Sequence, residues 1–528
     1  MSSTLSEVSS RVSSIYSLNP RPAITLLVTG GGIQSIPTFL TVPGASACIL
    51  SAEVPYAIAA SQKLVYEYTS SSEESGCTRD KAVQLAKAAY LKCGQLLLKD
   101  NCHNINEHIN DISGVLGVAC TAALVSSIPK RGDHRCHVAV YSDSACASYS
   151  ITLSKGLRDR QGEDSLCSSM ILDAVLKHVG LPLPVGSVLL EAIDASKDSS
   201  LEQAPAELVT SEVSLPRDPL ANIYERIARH VLYIRRSNAG AASASLDLHT
   251  NSDLSGSDEQ PLPQPYKEFL CLEDVCIPEG SIIYPGSFNP LHEGHLALVK
   301  AALEHLEQQY HEQHATQYTS THPAFQPPLV VFEIGALNAD KPPLPQEEIA
   351  RRLAQFDTET NPLFRAAGVS NFAVSVTSEP LFLQKSYIFK GCHFLVGADT
   401  MVRLVNAKYY ADKGTAAGAR QSGSRRVMNM VAALTSIAEN GCRFIVGGRT
   451  KSATTESDAT FETFDSIMRQ SYAEITGEAC SVGLTDTTVE EFLPAQIAAM
   501  FCGLSERQFR LDLSSTELRN RKSSSADV

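Results

Sequence analysis

The chain has 528 residues, 43% of them hydrophobic, with 44 Lys and Arg against 58 Asp and Glu, a formal net charge of −14. At roughly 100–200 residues per domain this predicts two or three domains with sizeable cores. The acidic balance argues against broad binding to nucleic acid or to anionic membranes, and no run of 18 apolar residues predicts a membrane span. Fourteen dispersed cysteines without a CxxC pair read as reduced thiols, and the serine-rich start lacks an apolar signal core, so a cytoplasmic or nuclear location is expected. In chain order, an apolar strand is predicted at Ala23–Gly32. A helix follows at about 79–99, with Ala82, Ala86, Tyr90, Cys93 and Leu97 on one stripe. Strands are predicted at Gly114–Leu124 and His134–Ser142, and a helix at Ser169–Gly180. Leu220, Ile223, Tyr224, Ile227, Val231 and Ile234 share helical spacing and predict a last helix of the first half.

Residues 236–269, rich in Ser, Ala, Gly, Asp and Pro, predict a flexible linker between a domain 1–235 and a domain 270–521, with a disordered tail 522–528. In the second half strands are predicted at Ser281–Tyr284, Leu329–Ile334, Ala373–Thr377, His393–Val396 and Arg443–Val446, with helical patterns between most of them. These runs are apolar on both faces, as in a parallel sheet buried between helices. Inserts at His311–Pro328 and Ala411–Arg426 read as loops. The fold class is therefore α/β in both halves.

The most informative stretch is YPGSFNPLHEGH, Tyr284 to His295. Turn residues follow a strand at the edge where open α/β sheets bind ligands. Then His292 and His295 open a helix, whose N-terminus offers unpaired N–H groups and positive potential to an anion. Gly286 and Gly294 would let backbone approach a phosphate. Two imidazoles three residues apart could donate to oxygens of a phosphoryl group that gain charge in a transition state. An HxxH pair alone is as readily a surface feature. Zinc-protease helices space their histidines four apart, a register that Glu293 does not serve.

The string GSFNPLHEGH resembles the signature of the cytidylyltransferase-like, or HxGH, nucleotidyltransferases. A second family element, ISSTxxR, is similar to DLSSTELRNR at Asp512–Arg521. FLVGADTMVRLVNAKYY (394–410) and FEIGALNADKPPLPQEEIARRLAQF (332–356) resemble the mononucleotide adenylyltransferase branch. The resemblance implies a Rossmann-like parallel-sheet domain that transfers the nucleoside monophosphate of ATP, with Mg²⁺, to nicotinamide or nicotinate mononucleotide. It implies catalytic roles for His292, His295 and Arg519. It places ATP at Gly286, Ser287, Phe288, Gly294, Gly397, Asp399, Ser514, Ser515 and Thr516, and the acceptor at Lys341 and Arg352. Another phosphate acceptor, CTP in place of ATP, and a sensor or scaffold without turnover remain open.

Residues 29–65, with TGGG and TVPGAS, resemble the C-terminal domain of the CinA family, which includes nicotinamide-nucleotide amidases. TRDKAVQLAKAA (78–89) and GVACTAALVSSIPKRGDHRCHVAV (117–140) extend the likeness. The family's serine nucleophile falls on Leu27, which has no nucleophilic atom, so no amidase activity is expected. Ser35 is the alternative under a shifted alignment, and Tyr56 and Lys63 stand for the family's tyrosine and lysine. The expected partners are small nucleotides, with neither nucleic acid nor membrane, and a homo-oligomer through the CinA-like domain is left open.

Overall fold

The computed structural model describes residues 2–69, 76–129, 131–194, 207–215, 218–236, 268–314, 324–337, 342–357, 361–410, 423–450, 461–476 and 487–510. They fall into two compact units, Met1–Asn101, Glu107–Asn222 and Ile234–Val275 in the first, Cys102–Asn106, Ile223–Tyr233 and Cys276–Val528 in the second. Both mix helices with a multistranded sheet, as the alternating apolar pattern predicts. Most of the predicted linker and the whole predicted tail lie outside the described residues. Among the described residues no helix is long and apolar enough to cross a membrane.

The first unit is built on β1 (Arg21–Thr29), β2 (Ile49–Glu53), β3 (Ile112–Ala123), β4 (His134–Tyr141), β5 (Cys146–Leu153), β6 (Ile193–Asp194) and β7 (Val209–Ser214), in the order β2-β1-β3-β4-β5-β7-β6. β1 pairs in parallel with β2 and β3, and β3, β4, β5 and β7 pair antiparallel. Pro22 to Thr29 are all buried, as a central strand covered on both faces requires. Alternation along β1 sends Ile24, Leu26 and Val28 to one core and Leu27 to the other. The Leu27 side is covered by the helix Arg79–Asp100, whose first turn is capped by the Thr78 side chain. That helix lies so close that a Cβ on Gly117 would stand 2.0 Å from the Ala86 carbonyl oxygen. The opposite side receives Val12, Ile15 and Phe39 and the helix Arg160–His178, which starts nine residues before the predicted Ser169 with Asp159 as its cap. It stops before Gly180, whose φ of +73° suits a helix end.

The predicted helix over Leu220–Ile234 is corrected. Helix is present only at Pro219–Tyr224; Arg226 then takes a φ of +58°, and His230–Arg235 is a strand, β8. The helical spacing was satisfied, but HVLYIR is also a contiguous β-branched and aromatic run. Strand pairing decides it: His230–Tyr233 align antiparallel with Val374–Thr377. β9 (Phe269–Glu273) belongs again to the first unit, where the Tyr90 hydroxyl donates to the Cys271 carbonyl at 2.7 Å.

The second unit contains β10 (Ile282–Pro285), β11 (Val330–Gly335), β12 (Phe372–Thr377), β13 (His393–Gly397), β14 (Arg443–Gly447) and β17 (Phe501–Gly503), plus a short hairpin of β15 (Arg449–Thr450) and β16 (Phe461–Glu462). The hydrogen-bonded order is β17-β14-β13-β10-β11-β12-β8. All neighbours from β17 to β12 are parallel. The chain steps from β10 outward through β11 to β12. It then returns to the other side of β10 and steps outward again through β13, β14 and β17. This is the doubly wound order 3-2-1-4-5-6, and its direction reverses between β10 and β13. Five of these strands match the predicted ones to within a residue or two at each end. Ile282, Ile283, Val331, Phe332, Phe394, Phe444 and Ile445 are fully buried at the sheet's centre.

Candidate functional site

The turn after β10 is fixed from three sides. The Gly286 N–H donates to the Glu333 carbonyl at 2.9 Å, tying the turn to β11. A Cβ on Gly286 would stand 2.5 Å from the tip of the Phe288 ring, so only glycine fits beneath that ring. Phe288 has a φ of +43° and no exposed surface. Its ring packs edge-on against Tyr284, Phe332 and Phe356, at centroid distances of 5.4, 5.5 and 5.5 Å. Phe288 thus forms the floor of the turn. Gln355 clamps the turn: its amide donates to the Phe288 carbonyl at 2.9 Å and accepts from the Leu291 N–H at 2.8 Å. Asn289 is held by Glu348 at 3.3 Å and by Arg351 at 2.8 Å.

His292 immediately precedes the helix Glu293–His314, and His295 lies in its first turn. The two rings are 3.7 Å apart between centroids and 32° from parallel. The His292 N–H donates to His295 Nδ1 at 3.2 Å. In neutral His295 the proton therefore sits on Nε2, which makes that atom a donor. Burial pushes His295 down to about 3, with the neighbouring His292 adding to the effect. Burial also lowers His292, against the opposing pull of Glu293. The pair is thus a pair of neutral donors at neutral pH.

The sign of the resulting pH dependence follows. Burial favours the neutral ring of His295, so this contribution to stability is present above the unfolded value of about 6.5 and is lost as pH falls toward about 3. Turnover is expected to show no His295 titration between about pH 6 and 8. A kcat–pH profile checks this; an inflection near 6.5 that disappears in His295→Asn would contradict it.

Beside the turn, at the carboxyl ends of β10, β11 and β13, lies a cavity of about 570 Å³. Gly286 and Ser287 form one edge, Gly335 another, and Gly397, Thr400 and Arg403 a third. This is the point at which the winding reverses, where open α/β sheets take their ligands. Glu333 projects from mid-strand into its wall at 1% exposure. One of its carboxylate oxygens accepts from Lys385 Nζ at 2.6 Å and the other from the Thr377 hydroxyl. Arg352 also lines the cavity, is buried, and donates through Nε to Glu348 at 2.7 Å. Hydrogen bonds from Arg351 and then Arg352 hold the Glu348 carboxyl down to about 2.

The structure thus gathers Gly286, Ser287, Arg352 and Gly397 around one cavity. His292, Gly294 and His295 stand at the helix start that continues from the turn. Asp399 does not line the cavity; its carboxylate meets Arg449, which also reaches Glu462 at 2.9 Å. Lys341, Ser514, Ser515, Thr516 and Arg519 lie outside the described residues. Glu333, Lys385, Thr400, Arg403 and Tyr409 line the cavity and escaped the sequence reading. One signal was available: a glutamate inside the apolar strand VVFEIG must find a buried partner.

In the first unit, Leu27 is fully buried in the core, so the position expected for a nucleophile is hydrocarbon inside the sheet. A Cβ on Gly30, at φ +78°, would stand 2.0 Å from the Ala122 carbonyl oxygen. The N–H groups of Ile33 and Gln34 donate to the two carboxylate oxygens of Asp164, each at 3.1 Å. Arg160 donates to the Gly30 carbonyl at 2.7 Å. The glycine turn therefore has an anion, and it is the protein's own. Ser35 is buried and donates to the Gly32 carbonyl at 2.7 Å, while Tyr56 and Lys63 are exposed.

No curated protein and no solved structure matches the chain. Residues 283–327 match the family model described as Cytidylyltransferase-like. That segment holds the end of β10, the clamped turn, both histidines and the helix they open, and its match supports the nucleotidyltransferase superfamily and nucleotidyl transfer in general.

Proposed function

We propose that the second unit transfers the adenylyl group of ATP to nicotinamide or nicotinate mononucleotide, forming a dinucleotide in NAD biosynthesis. The observation that carries the transfer is the stacked pair of neutral histidines at a helix start beside a cavity at the winding reversal, inside the stretch that matches the family. An oxygen of the acceptor phosphate attacks the α-phosphorus of ATP. The bond from that phosphorus to the bridging oxygen breaks, and pyrophosphate leaves with the electron pair. No covalent enzyme intermediate is required, so the site works by positioning and charge stabilisation.

In this reading Ser287 and Gly294 cradle the triphosphate on backbone N–H groups, and Gly286, whose own N–H is held by the Glu333 carbonyl, lets the phosphates approach the backbone. His292 and His295 donate to oxygens of the α-phosphate as charge builds there. Phe288 supports the cradle from below. Gly397 borders the adenosine, Asp399 stands outside the cavity against Arg449 and is given no contact with it, and Ser514, Ser515, Thr516 and Arg519 supply a second anion site. Lys341 and Arg352 serve the acceptor. Among the described residues no group of three or more His, Cys, Asp or Glu is arranged to hold a metal ion. Mg²⁺ would then ride on the phosphates and water, its usual mode, and no protein ligand is assigned. The first unit is read as a CinA-like module without amidase activity that binds a nucleotide or serves as a packing or dimerisation module, and the protein as one of the cytoplasm or nucleus.

The test is to incubate the chain with Mg²⁺, ATP and either mononucleotide and follow pyrophosphate and dinucleotide by chromatography. Dinucleotide from the wild type and none from His295→Ala is the expected result. Pyrophosphate only with other phosphate acceptors or with CTP would keep the transfer and discard the acceptor. No turnover with any of them would turn the reading into that of a nucleotide sensor.

A further inference from the structure

We propose that Gln355 is the positioning residue of the histidine pair: by bridging two backbone groups of the turn it holds His295 in the orientation and tautomer that let its Nε2–H donate to the phosphate under attack. This deepens the transfer reading above and rests on it for the chemistry. The argument starts from hydrogen-bond polarity. The Phe288 carbonyl can only accept and the Leu291 N–H can only donate, so a side chain that serves both must offer a donor and an acceptor side by side. The Gln355 amide does so, with Nε2 at 2.9 Å from the carbonyl and Oε1 at 2.8 Å from the N–H. Its nitrogen also reaches the Arg352 carbonyl at 3.4 Å. All three partners are backbone groups, so they fix which end of the amide is nitrogen. An ionised glutamate would lack the donor, and a methionine of similar length would lack both. The two bonds to the turn bracket Asn289 and Pro290, and the proline has no N–H with which the turn could hold itself.

The clamp leads directly to the ring. The N–H that follows Leu291, that of His292, donates to His295 Nδ1 at 3.2 Å, so the bond that orients the first N–H constrains the second. On its other side His295 lies against the Phe288 ring, 5.1 Å away between centroids. Phe288 needs holding, because a φ of +43° is uncommon for a bulky residue and persists only where its surroundings impose it. Gln355 holds its carbonyl, and the adjacent Phe356 packs edge-on against its ring at 5.5 Å. Both constraints on His295, the bond to Nδ1 and the ring beside it, thus run back to residues 355 and 356. The clamp is itself anchored. The Gln355 carbonyl accepts from Asn361 Nδ2 at 2.9 Å, and Asn361 caps the helix Pro362–Ala367 by accepting from the Leu363 N–H at 3.1 Å. Glu348 and Arg351 also hold the turn, through the Asn289 side chain, but Arg351 is half exposed and such ion pairs hold loosely in water.

The test uses the full chain carrying Gln355→Met, which keeps length and bulk and removes both bonds. With Mg²⁺, ATP and either pyridine mononucleotide, kcat is expected to fall roughly ten- to a hundredfold, the scale of a small misplacement at a reacting centre, with KM for ATP within a few fold. In the His295→Ala background the same substitution should cost less than about threefold, because its effect runs through that ring. Equal losses in the two backgrounds would make Gln355 a merely structural residue and overturn the proposal, as would full rate in Gln355→Met. A second readout is independent of turnover: two-bond proton–nitrogen correlation spectra of nitrogen-15 histidine-labelled protein at neutral pH, with the His295 signals identified by their absence in His295→Ala. Wild type is expected to show His295 as one neutral tautomer with the proton on Nε2, and Gln355→Met a mixture of both tautomers. The same tautomer in both overturns the proposal. Should Gln355→Met not fold, Gln355→Glu, which keeps the bond to Leu291 and sets a carboxylate against the Phe288 carbonyl, should show the same mixture. A wild type that turns over neither mononucleotide would remove the transfer reading, and the spectra would then decide the clamp by themselves.

Discussion

His295→Ala is expected to lower kcat by roughly a hundredfold or more while leaving KM for ATP within a few fold. Loss of one preorganised donor to a developing oxyanion has that order of effect. The expectation has a structural basis. His295 Nδ1 is occupied by the His292 N–H, so Nε2 carries the proton and is the atom that can donate. The ring cannot turn freely, because it lies against His292 at 3.7 Å and Phe288 at 5.1 Å between centroids. A donor fixed in this way stabilises the transition state more than the ground state, so kcat and kcat/KM should fall together. The measurement is steady-state pyrophosphate release, with a thermal melt of the variant to establish that it folds. His295→Asn, which keeps an N–H near the same place, should recover part of the rate. An alanine variant that folds and keeps full rate would remove His295 from the chemistry.

Lys385→Met is expected to destabilise the second unit by about 3–5 kcal/mol, the cost of leaving a buried charge without its partner. Glu333 is at 1% exposure, and the Thr377 hydroxyl alone would then face its carboxylate. Urea unfolding followed by a probe in the second unit measures the loss. The double variant Glu333→Gln with Lys385→Met should be closer to wild type than Lys385→Met, since the amide removes the charge that lacks a partner. If Lys385→Met alone unfolds at the wild-type urea concentration, the pair does not hold the wall of the cavity as described.

The strands of the second unit were legible because a parallel sheet covered on both faces writes itself as short apolar runs between turns, as in SIIYPG and HFLVGAD. The turn and its histidines were legible because glycine, proline and histidine have narrow conformational or chemical uses. What escaped was set by partners distant in sequence. Lys385 sits 52 residues from Glu333, and nothing in QKSYIF announces a buried charge. Asp399 and Arg403 stand at the spacing of a helix pair, and only the fold brings Arg449 in to take the aspartate. His230–Arg235 satisfied a helical period and became a strand because the edge of β12 was open to it. In the first unit, TGGG resembles a family turn, and the sequence alone does not disclose that Asp164, over a hundred residues later, accepts from the N–H groups that follow it.

The antiparallel strand β8 sets a limit on how this chain can be divided. It precedes the long Ser- and Pro-rich stretch, yet its residues 230–233 belong to the second unit and pair with β12. A fragment cut at residue 270 would carry β10 to β17 but lose the neighbour of β12. The ladder groups of Val374 to Thr377 would then face water as a bare edge, inviting the same edge of another molecule. A fragment of the second unit has to begin upstream of residue 223 to keep that edge paired.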